Sequence, residues 1–347
     1  MTRVLVTGGN GFIGKHLVSA LLARGGQVRV LDIRRPAHPM PEVEYVVGSV
    51  LDPALVDDSL RDVDQVFHLA GLPGMWLPRK ADFHAVNTLG TETVIAAARK
   101  RGTASFLHCS TESILFRGSP VDSASEHPLQ PADAMPGLYT RSKMLAEQAA
   151  LRAAESGFPL VIGTPTMPIG PHDHSLTPPT AMIRHFLGGR VQLYLDFVVN
   201  LVDVRDVAAG LVLAMERGRV GHRYVLGGES IPLKNLLGLV ADISDRRKFL
   251  LPVPARLAEK AAAMLEFIAD HVTRRHPTGT AEGVRIALRA SALSIAKAQA
   301  ELGYAPRPIE PALRETIEYL LGSGDRHEGF VPDLTPAYSV VSQELPG

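Results

Sequence analysis

The chain has little of several features that would assign a protein to a class at once. It has one cysteine, Cys109, which cannot form an intramolecular disulfide. Its 36 Lys and Arg residues balance 36 Asp and Glu residues, so no net charge draws it to nucleic acid or to an anionic membrane. No charged-then-apolar leader precedes the first strand pattern. These absences favour a cytoplasmic protein whose partner is a small molecule and not a nucleic acid.

The sequence also lacks an uninterrupted apolar run long enough to cross a membrane, so no stable membrane insertion is expected. The longest candidate, residues 252–272, is interrupted by five charged residues: Arg256, Glu259, Lys260, Glu266 and Asp270. Leu257, Ala261, Leu265, Ile268 and Val272 recur there at helical spacing, which indicates one apolar and one charged face. We expect an amphipathic helix over a pocket or at an interface, in preference to one on a membrane surface.

The first half of the chain alternates short β-branched runs with helical patterns. This order is typical of a parallel sheet with crossover helices. The strand patterns are RVLVTG, QVRVLDI, VEYVVGS, DQVFHLAG, SFLHCST and FPLVIGTP, and the helical patterns cover 14–24, 53–60, 83–101 and 140–154. The sequence therefore predicts an α/β fold, a Rossmann-type doubly wound parallel sheet.

The sequence pattern changes near Pro165. Residues 164–180 contain five prolines and predict a long loop. Residues 200–218 predict a turn that leads into a helix, residues 222–228 predict a strand, and four later helical patterns follow. We expect a dinucleotide-binding domain over 1–165, its sheet completed by part of 195–230. A smaller, mainly helical substrate lobe over 166–322 and a loose tail over 323–347 would follow.

A glycine-rich segment, TGGNGFIG, joins the first strand pattern to the first helix. Gly8 suits a tight turn, Gly11 lets a pyrophosphate approach the backbone, and Gly14 allows the helix to pack closely on the strand. Phe12 and Ile13 supply amides at the helix start. Glycines also serve plain strand-to-helix turns, so the motif depends on its context.

The end of the second strand carries the residues that bear on cofactor choice. Asp32 can accept hydrogen bonds from the adenosine ribose and would repel a 2′-phosphate, which predicts NAD. Arg34 and Arg35 leave NADP open, because a guanidinium there could neutralise that phosphate. They could equally be solvated loop arginines.

The pentapeptide YTRSK places Tyr139 and Lys143 four residues apart at a helix start, on one face. A free phenol is a poor acid or base at neutral pH, but a nearby ammonium and an oxidised nicotinamide would lower its pKa. An exposed pair on an ordinary helix is the alternative, and only the glycine motif argues against it.

The motifs TGGNGFIG, FHLAG, NTLGT, LHCST and YTRSK, in that order, resemble the extended short-chain dehydrogenase/reductase family over residues 1–320. Within its NAD-dependent epimerase/dehydratase group, PIGPHD, NLVDVRDVAAG and AELGYAPRPIEPAL resemble the branch of dihydroflavonol reductases, 3β-hydroxysteroid dehydrogenases and hopanoid-associated epimerases. The resemblance implies Tyr139 as acid/base, Lys143 as its ribose-binding partner and Thr111 as the hydroxyl that holds the reacting oxygen. It also implies cofactor contacts from Asp52, Leu69, Ala70, Gly71, Asn87 and Pro165.

Some positions depart from the family pattern. Ser49 stands where the family usually has Asp near the adenine, although Asp52 is kept. Val199 replaces an Arg that grips the phosphate in the family's nucleotide-sugar enzymes. Met75, Trp76, Leu77 and the helix around Met264 suggest an apolar pocket wall. His172, Asp173 and His174 are a poor metal pattern, so no metal is expected.

These features lead to three hypotheses. The first is an NAD(P)-dependent oxidoreductase that transfers hydride to or from a hydroxyl or keto group of a small hydrophobic substrate. The second is an epimerase or isomerase that uses bound NAD without net oxidation. The third is a dinucleotide-binding sensor without catalysis. The family also implies a homodimer.

Overall fold

The computed structural model describes residues 1–115, 131–189, 191–290 and 292–322, so the tail predicted for 323–347 lies outside the described residues. The strands are β1 Arg3–Thr7, β2 Gln27–Asp32, β3 Val43–Val47, β4 Gln65–His68, β5 Ser105–Cys109, β6 Leu160–Pro165, β7 Met167–Ile169, β8 Val191–Tyr194, β9 Val198–Asp203, β10 Arg223–Leu226, β11 Glu229–Pro232 and β12 Phe249–Pro252. The α-helices are α1 Phe12–Ala23, α2 Pro53–Ser59, α3 Gly90–Arg101, α4 Leu138–Glu155, α5 Pro178–Leu187, α6 Val204–Arg217, α7 Leu233–Ser244, α8 Ala255–Ile268, α9 Ala281–Arg289 and α10 Ile309–Gly322.

The main sheet has seven strands in the order β10-β6-β5-β4-β1-β2-β3. Each neighbouring pair is parallel, so all the carboxyl ends meet at one edge. The chain leaves β1 toward β2 on one side and later returns to β4 on the other. That reversal opens the crevice in which doubly wound sheets bind their ligands. The predicted Rossmann-type sheet is confirmed.

The sheet is buried on both faces, which explains its nearly continuous apolar strands. Along β1, Val4 and Val6 belong to a core cluster with Leu17 of α1, whereas Leu5 belongs to the opposite cluster with Phe106. Successive side chains of a strand point to opposite faces, so a fully apolar strand fills both cores.

The second half contains strands that the sequence analysis missed. The loop predicted for 164–180 contains β7, and the turn predicted ahead of α6 is β9, so both predictions are wrong there. These strands form a small sheet in the order β11-β9-β7, and β12 pairs with β8. The apolar faces of α5, α7 and α10 pack on β9. Strands of three to six residues give too short a pattern to separate from a turn.

Two elements of the second half complete the first. Strand β10 pairs with β6 at the edge of the main sheet, and α6 packs against α1 on one of its faces. Within the described residues, no helix combines the length and the apolar character needed to span a bilayer.

Candidate active site

The glycine turn between β1 and α1 is shaped by close backbone approaches. Gly8 has a positive φ of 70°. A Cβ on Gly8 would lie 2.7 Å from the Ala70 amide nitrogen, and one on Gly14 would collide with the Gly8 carbonyl oxygen. Neither position accepts a side chain without a backbone shift. The turn is therefore a cradle kept open by the absence of side chains.

The start of α1 is free for an anion. Gly11 is the N-cap residue, no side chain caps the helix, and its first turn has no acidic residue. The amides at Phe12 and Ile13 have no partner inside the helix, because the first turn of any α-helix leaves its N–H groups unpaired. An uncapped helix start beside an open glycine turn fits the pyrophosphate of a dinucleotide.

Asp32 ends β2 beside the glycine turn. Its carboxylate accepts hydrogen bonds from the Asn10 amide at 3.0 Å and from the Arg34 amide at 3.1 Å. Burial raises the pKa of this carboxyl above its usual range, although both amides oppose the shift. The Arg34 side chain is exposed. One bond to each oxygen leaves lone pairs free, which fits the hydroxyls of an adenosine ribose.

The segment Leu69–Gly71 runs directly behind the glycine turn. The Leu69 amide donates to the Thr7 carbonyl at 3.0 Å, and the Ala70 amide donates to the Thr7 hydroxyl at 3.2 Å. His68 lies below, bonded to the hydroxyls of Thr7 and Thr91. Burial lowers the pKa of His68 to about 3, so its imidazole stays neutral and acts as a core residue.

Asn87 connects two parts of the site. Its Oδ1 accepts from the Leu72 amide at 2.7 Å, and its Nδ2 donates to the Ser142 hydroxyl at 2.9 Å. Asn87 thereby holds the loop after β4 against α4. These contacts match the alternative of a helix-packing polar group, and its cofactor contact stays a prediction.

Two further predicted cofactor residues have clear places in the fold. Asp52 caps α2, because its Oδ1 accepts from the amides of Ala54 and Leu55 at 3.0 Å. Pro165 is buried at the end of β6, beside β5. Both lie at carboxyl ends of the sheet, and their contacts with a dinucleotide stay predictions.

The three predicted catalytic residues meet beyond the end of β5. Thr111 caps a short 3₁₀ turn, Glu112–Ile114, because its hydroxyl accepts from the Ser113 amide at 3.2 Å, and the same hydroxyl acts to lower the pKa of the Tyr139 phenol. Lys143 follows one turn later on α4 and donates from Nζ to the Cys109 carbonyl at 2.9 Å. The helix motif and the strand end are well separated in sequence. Their side chains nevertheless form one polar cluster.

Burial governs the protonation of Tyr139. It raises the pKa of the Tyr139 phenol to about 12, and the charges of Glu282 and Glu112 act in the same direction, whereas the Thr111 hydroxyl acts to lower it. Burial also lowers the pKa of Lys143. The lowering of the phenol pKa that was expected from Lys143 together with an oxidised nicotinamide stays a prediction.

Glu282 of α9 was not predicted, yet it caps the helix that carries Tyr139 and Lys143. Its Oε1 accepts from the Thr140 amide at 2.7 Å and its Oε2 from the Tyr139 amide at 3.2 Å. The N-cap residue, Gly137, has no side chain to fill this role, and a Cβ there would collide with the Glu282 carboxyl. A glycine at a helix start was the only signal for a distant cap.

A buried ion pair on the inner side of α4 was also missed. Glu147, one turn beyond Lys143, accepts from Arg223 Nε of β10 at 2.7 Å. It is also hydrogen-bonded to the Ser110 hydroxyl, next to Thr111. Both members of the ion pair are buried. The pair anchors the reactive helix to two strands of the sheet.

The residues proposed as an apolar wall differ in exposure. Trp76 and Leu77 are buried, whereas 64% of Met264 is exposed, and their contact with a substrate stays a prediction. Leu72, Leu77 and Phe83 form a small cluster against which Tyr139 packs. The phenol thus has an apolar side toward this cluster.

The histidines after β7 have other contacts. The rings of His172 and His174 both pack on Tyr319 of α10. Asp173 accepts from the Thr177 amide at 2.8 Å. In the ranges that the structure describes, no group of three or more His, Cys, Asp or Glu side chains could hold a metal ion.

Comparison with known proteins identifies the family. Residues 4–227 match the model of the NAD dependent epimerase/dehydratase family. The chain belongs to this family. It is therefore an NAD(P)-dependent enzyme of the extended short-chain dehydrogenase/reductase type, as the motifs predicted. NAD dependence of the family agrees with the predicted cofactor.

Family relatives include several reductases. One relative, from Synechocystis sp., is provisionally named a dihydroflavonol 4-reductase. It is 33% identical to this chain, over 92% of this chain and 94% of the relative's length. A ketoreductase of a farnesyl-dihydroquinoline oxide from Stigmatella aurantiaca is 31% identical over 95% of this chain and 99% of its own. The human sterol-4-alpha-carboxylate 3-dehydrogenase is 32% identical over 67% of this chain and 62% of its own length.

Solved structures show the same fold. The crystal structure of gox2253 has a TM-score of 0.78 and 31% identity, covering 93% of this chain and 99% of its own. The UDP-glucose 4-epimerase of Thermus thermophilus, solved with NAD, has a TM-score of 0.73 and 25% identity. The match covers 93% of this chain and 100% of the epimerase chain. The relatives thus include both net reductases and an epimerase.

Proposed function

We propose that this enzyme is an NAD(P)-dependent oxidoreductase that acts on a hydroxyl or keto group of a small, apolar substrate, with Tyr139 as its acid/base. The observation that carries the proposal is the convergence of Thr111, Tyr139 and Lys143 beyond the end of β5, where the Thr111 hydroxyl acts to lower the pKa of the Tyr139 phenol. It places two hydroxyl groups together at the sheet edge that also carries the glycine cradle. A substrate oxygen held by both would face the crevice.

Ketone reduction needs a proton donor, and Tyr139 carries a proton. Burial raises the pKa of the phenol to about 12, so the phenol keeps its proton at neutral pH and can give it only to an oxygen that becomes more basic than phenolate. Bound reduced nicotinamide supplies the hydride. Tyr139 gives its proton to the substrate oxygen as negative charge develops there, and Thr111 donates a hydrogen bond to the same oxygen.

Lys143 stabilises the phenolate that remains after the proton has left. Its Nζ is held by the Cys109 carbonyl one helical turn from Tyr139, so it is already positioned when negative charge appears. Burial weakens the competition from water for this interaction. We propose that the same ammonium binds the nicotinamide ribose, as the family pattern implies.

The surroundings of Tyr139 support an apolar substrate. Phe83 packs edge-on against the phenol ring, with ring centroids 6.1 Å apart, and Leu72 and Leu77 lie in the same cluster. Val199, at the position of the family's phosphate-gripping Arg, is buried and offers no charge to a sugar diphosphate. The named substrates of two relatives, a farnesyl quinoline oxide and a sterol, also have large apolar parts.

The first prediction concerns Tyr139→Phe. It should lower turnover of an aromatic or sterol-like ketone by about 10²–10⁴-fold, the usual contribution of a general acid. Binding of NADH should be retained, since the substitution removes one hydroxyl outside the glycine cradle. Turnover would be followed by loss of NADH absorbance, and binding by fluorescence titration with NADH and with NADPH.

Tyr45→Phe is the matched control, because it removes a phenol from β3, away from Thr111. It should keep turnover. Full activity of Tyr139→Phe would reject the proposed acid. Product formation without a change in NADH absorbance would instead assign the chain to the epimerases, and tight cofactor binding without turnover of any substrate would assign a sensor.

The homodimer and the cytoplasmic location expected from the sequence belong to this proposal. Gel filtration at the mass of a single chain would reject the homodimer.

A further inference from the structure

Helix α8 lies on the protein with its carboxylates turned toward the protein. Glu259 accepts from Arg285 Nε of α9 at 2.6 Å. In the π-helical turn that continues α8, Asp270 accepts from Trp76 Nε1 at 2.7 Å and pairs with Lys80 at 3.1 Å. Amphipathic helices normally bury the apolar face and expose the charged one. Here the carboxylates are used to attach the helix to the protein.

The opposite face of α8 is apolar and exposed. Met264 and Phe267 are 64% and 61% exposed, and Leu257 and Val272 are exposed to a similar degree. Only Ala262 within α8 is buried. A run of four large apolar side chains along one helical segment, with none of them covered, exceeds the scattered exposure usual for a protein surface.

Basic side chains accompany this apolar face, and acidic ones do not. Arg256, Lys260, Arg274 and Arg275 are exposed, and none of them has an ion pair with a described residue. The three carboxylates of the segment, Glu259, Glu266 and Asp270, are half-buried. The outward surface of residues 255–275 is therefore apolar and positively charged, although the chain as a whole is neutral.

A second exposed apolar surface precedes α8 by two residues. Phe249 and Leu251 of β12 pair in register with Val191 and Leu193 of β8, and all four side chains are exposed on this two-stranded ribbon. Phe249, at 78% exposed, is the most exposed phenylalanine among those that the structure describes. The ribbon is a separate exposed apolar surface that is close to the helix in sequence.

We propose that the exposed face of α8 docks on the surface of an anionic lipid bilayer. Apolar side chains enter the boundary between headgroups and acyl chains, and the flanking lysine and arginines pair with lipid phosphates. A second copy of this chain is the less suitable occupant, because two such faces would bring their unpaired basic residues together. Two of the three carboxylates that could relieve that repulsion, Glu259 and Asp270, are already bonded within the protein.

Vesicle sedimentation tests the proposal with the full chain. Vesicles of phosphatidylcholine alone and vesicles with one third phosphatidylglycerol would be compared. We expect binding to the anionic vesicles that weakens as salt is added, and much weaker binding to the neutral ones. The double variant Met264→Gln/Phe267→Gln should reduce binding to anionic vesicles at least ten-fold. Lys260→Gln should reduce it about five-fold.

Val47→Gln/Val220→Gln is the matched control, since it replaces two exposed apolar side chains elsewhere, and it should bind as the parent chain does. Thermal melts confirm that each variant is folded, and the readout does not depend on enzymatic activity. Failure of the parent chain to sediment with anionic vesicles overturns the proposal. A dimer in gel filtration that the Met264→Gln/Phe267→Gln variant abolishes also overturns it, in favour of a second copy.

Discussion

The sheet half and the lobe that follows it are organised by different kinds of contact. In the first half, each strand and helix has a repeating apolar pattern, and the glycine cradle is made by neighbours in the chain. The lobe has short strands without a clear repeat, and its contact with the reactive helix α4 includes polar contacts over long sequence separations, such as that of Glu282 with Thr140. Periodic burial gives a robust framework, whereas single polar contacts adjust what the framework carries. Four predictions test this difference.

The largest effect is expected at the ion pair in the core of the sheet half. Glu147→Ala leaves Arg223 buried without its carboxylate and should lower the free energy of unfolding by about 3–5 kcal/mol. Chemical denaturation would measure the change. Glu155→Ala, an exposed position at the end of the same helix, is the control and should have little effect. A loss below about 1 kcal/mol for Glu147→Ala would mean that the framework does not depend on this pair.

The next effect concerns the cradle. Gly14→Ala places a Cβ against the Gly8 carbonyl oxygen, so it should cost about 1–3 kcal/mol of stability and weaken NADH binding. Titration of NADH and thermal unfolding would test both. Gly238→Ala in α7 is the control, because its Cβ would meet nothing within 4 Å, and it should be neutral or stabilising. Equal behaviour of the two variants would contradict the close packing described here.

The third effect is a pH dependence at the site. Burial raises the pKa of Glu112 to about 8, so the folded chain holds a proton that the unfolded chain has lost above its ordinary pKa of 4.5. Stability should therefore fall as the pH rises from 4.5 to about 8, by at most about 1.4 kcal/mol per pH unit from this group. Glu112→Gln should flatten the profile of unfolding free energy, and Glu92→Gln, an exposed control, should leave it unchanged. A parallel profile for Glu112→Gln would refute the shift.

The smallest effect tests the link between the two halves. Glu282→Gln keeps the shape of the cap on α4 but removes its charge and one of its two acceptor oxygens, which should cost about 1 kcal/mol. It should also slightly lower the pKa of Tyr139, because Glu282 acts to raise it. A shift of the pH–rate profile would report this change. Glu310→Gln, an exposed residue in the first turn of α10, is the control. No change in the profile would mean that the lobe does not influence the phenol.

The difference between local and long-range contacts also explains which predictions succeeded. The glycine turn, the alternation of strands and helices in the first half and the Tyr139–Lys143 spacing depend on residues close in sequence or on a repeat, so they could be predicted. Glu282 lies 142 residues from Thr140, and Arg223 lies 76 residues from Glu147. No local pattern identifies such partners. The inverted orientation of α8 was missed for the same reason, because its periodicity does not tell which face meets the protein.

The sequence by itself determined the Rossmann-type sheet and the glycine turn and predicted which side chains react, because local periodicity and backbone requirements are encoded in neighbouring residues. Only the tertiary structure decided the protonation of Tyr139, the partner of Glu147, the cap on α4 and the outward apolar face of α8. These depend on burial and on charges brought together from distant parts of the chain.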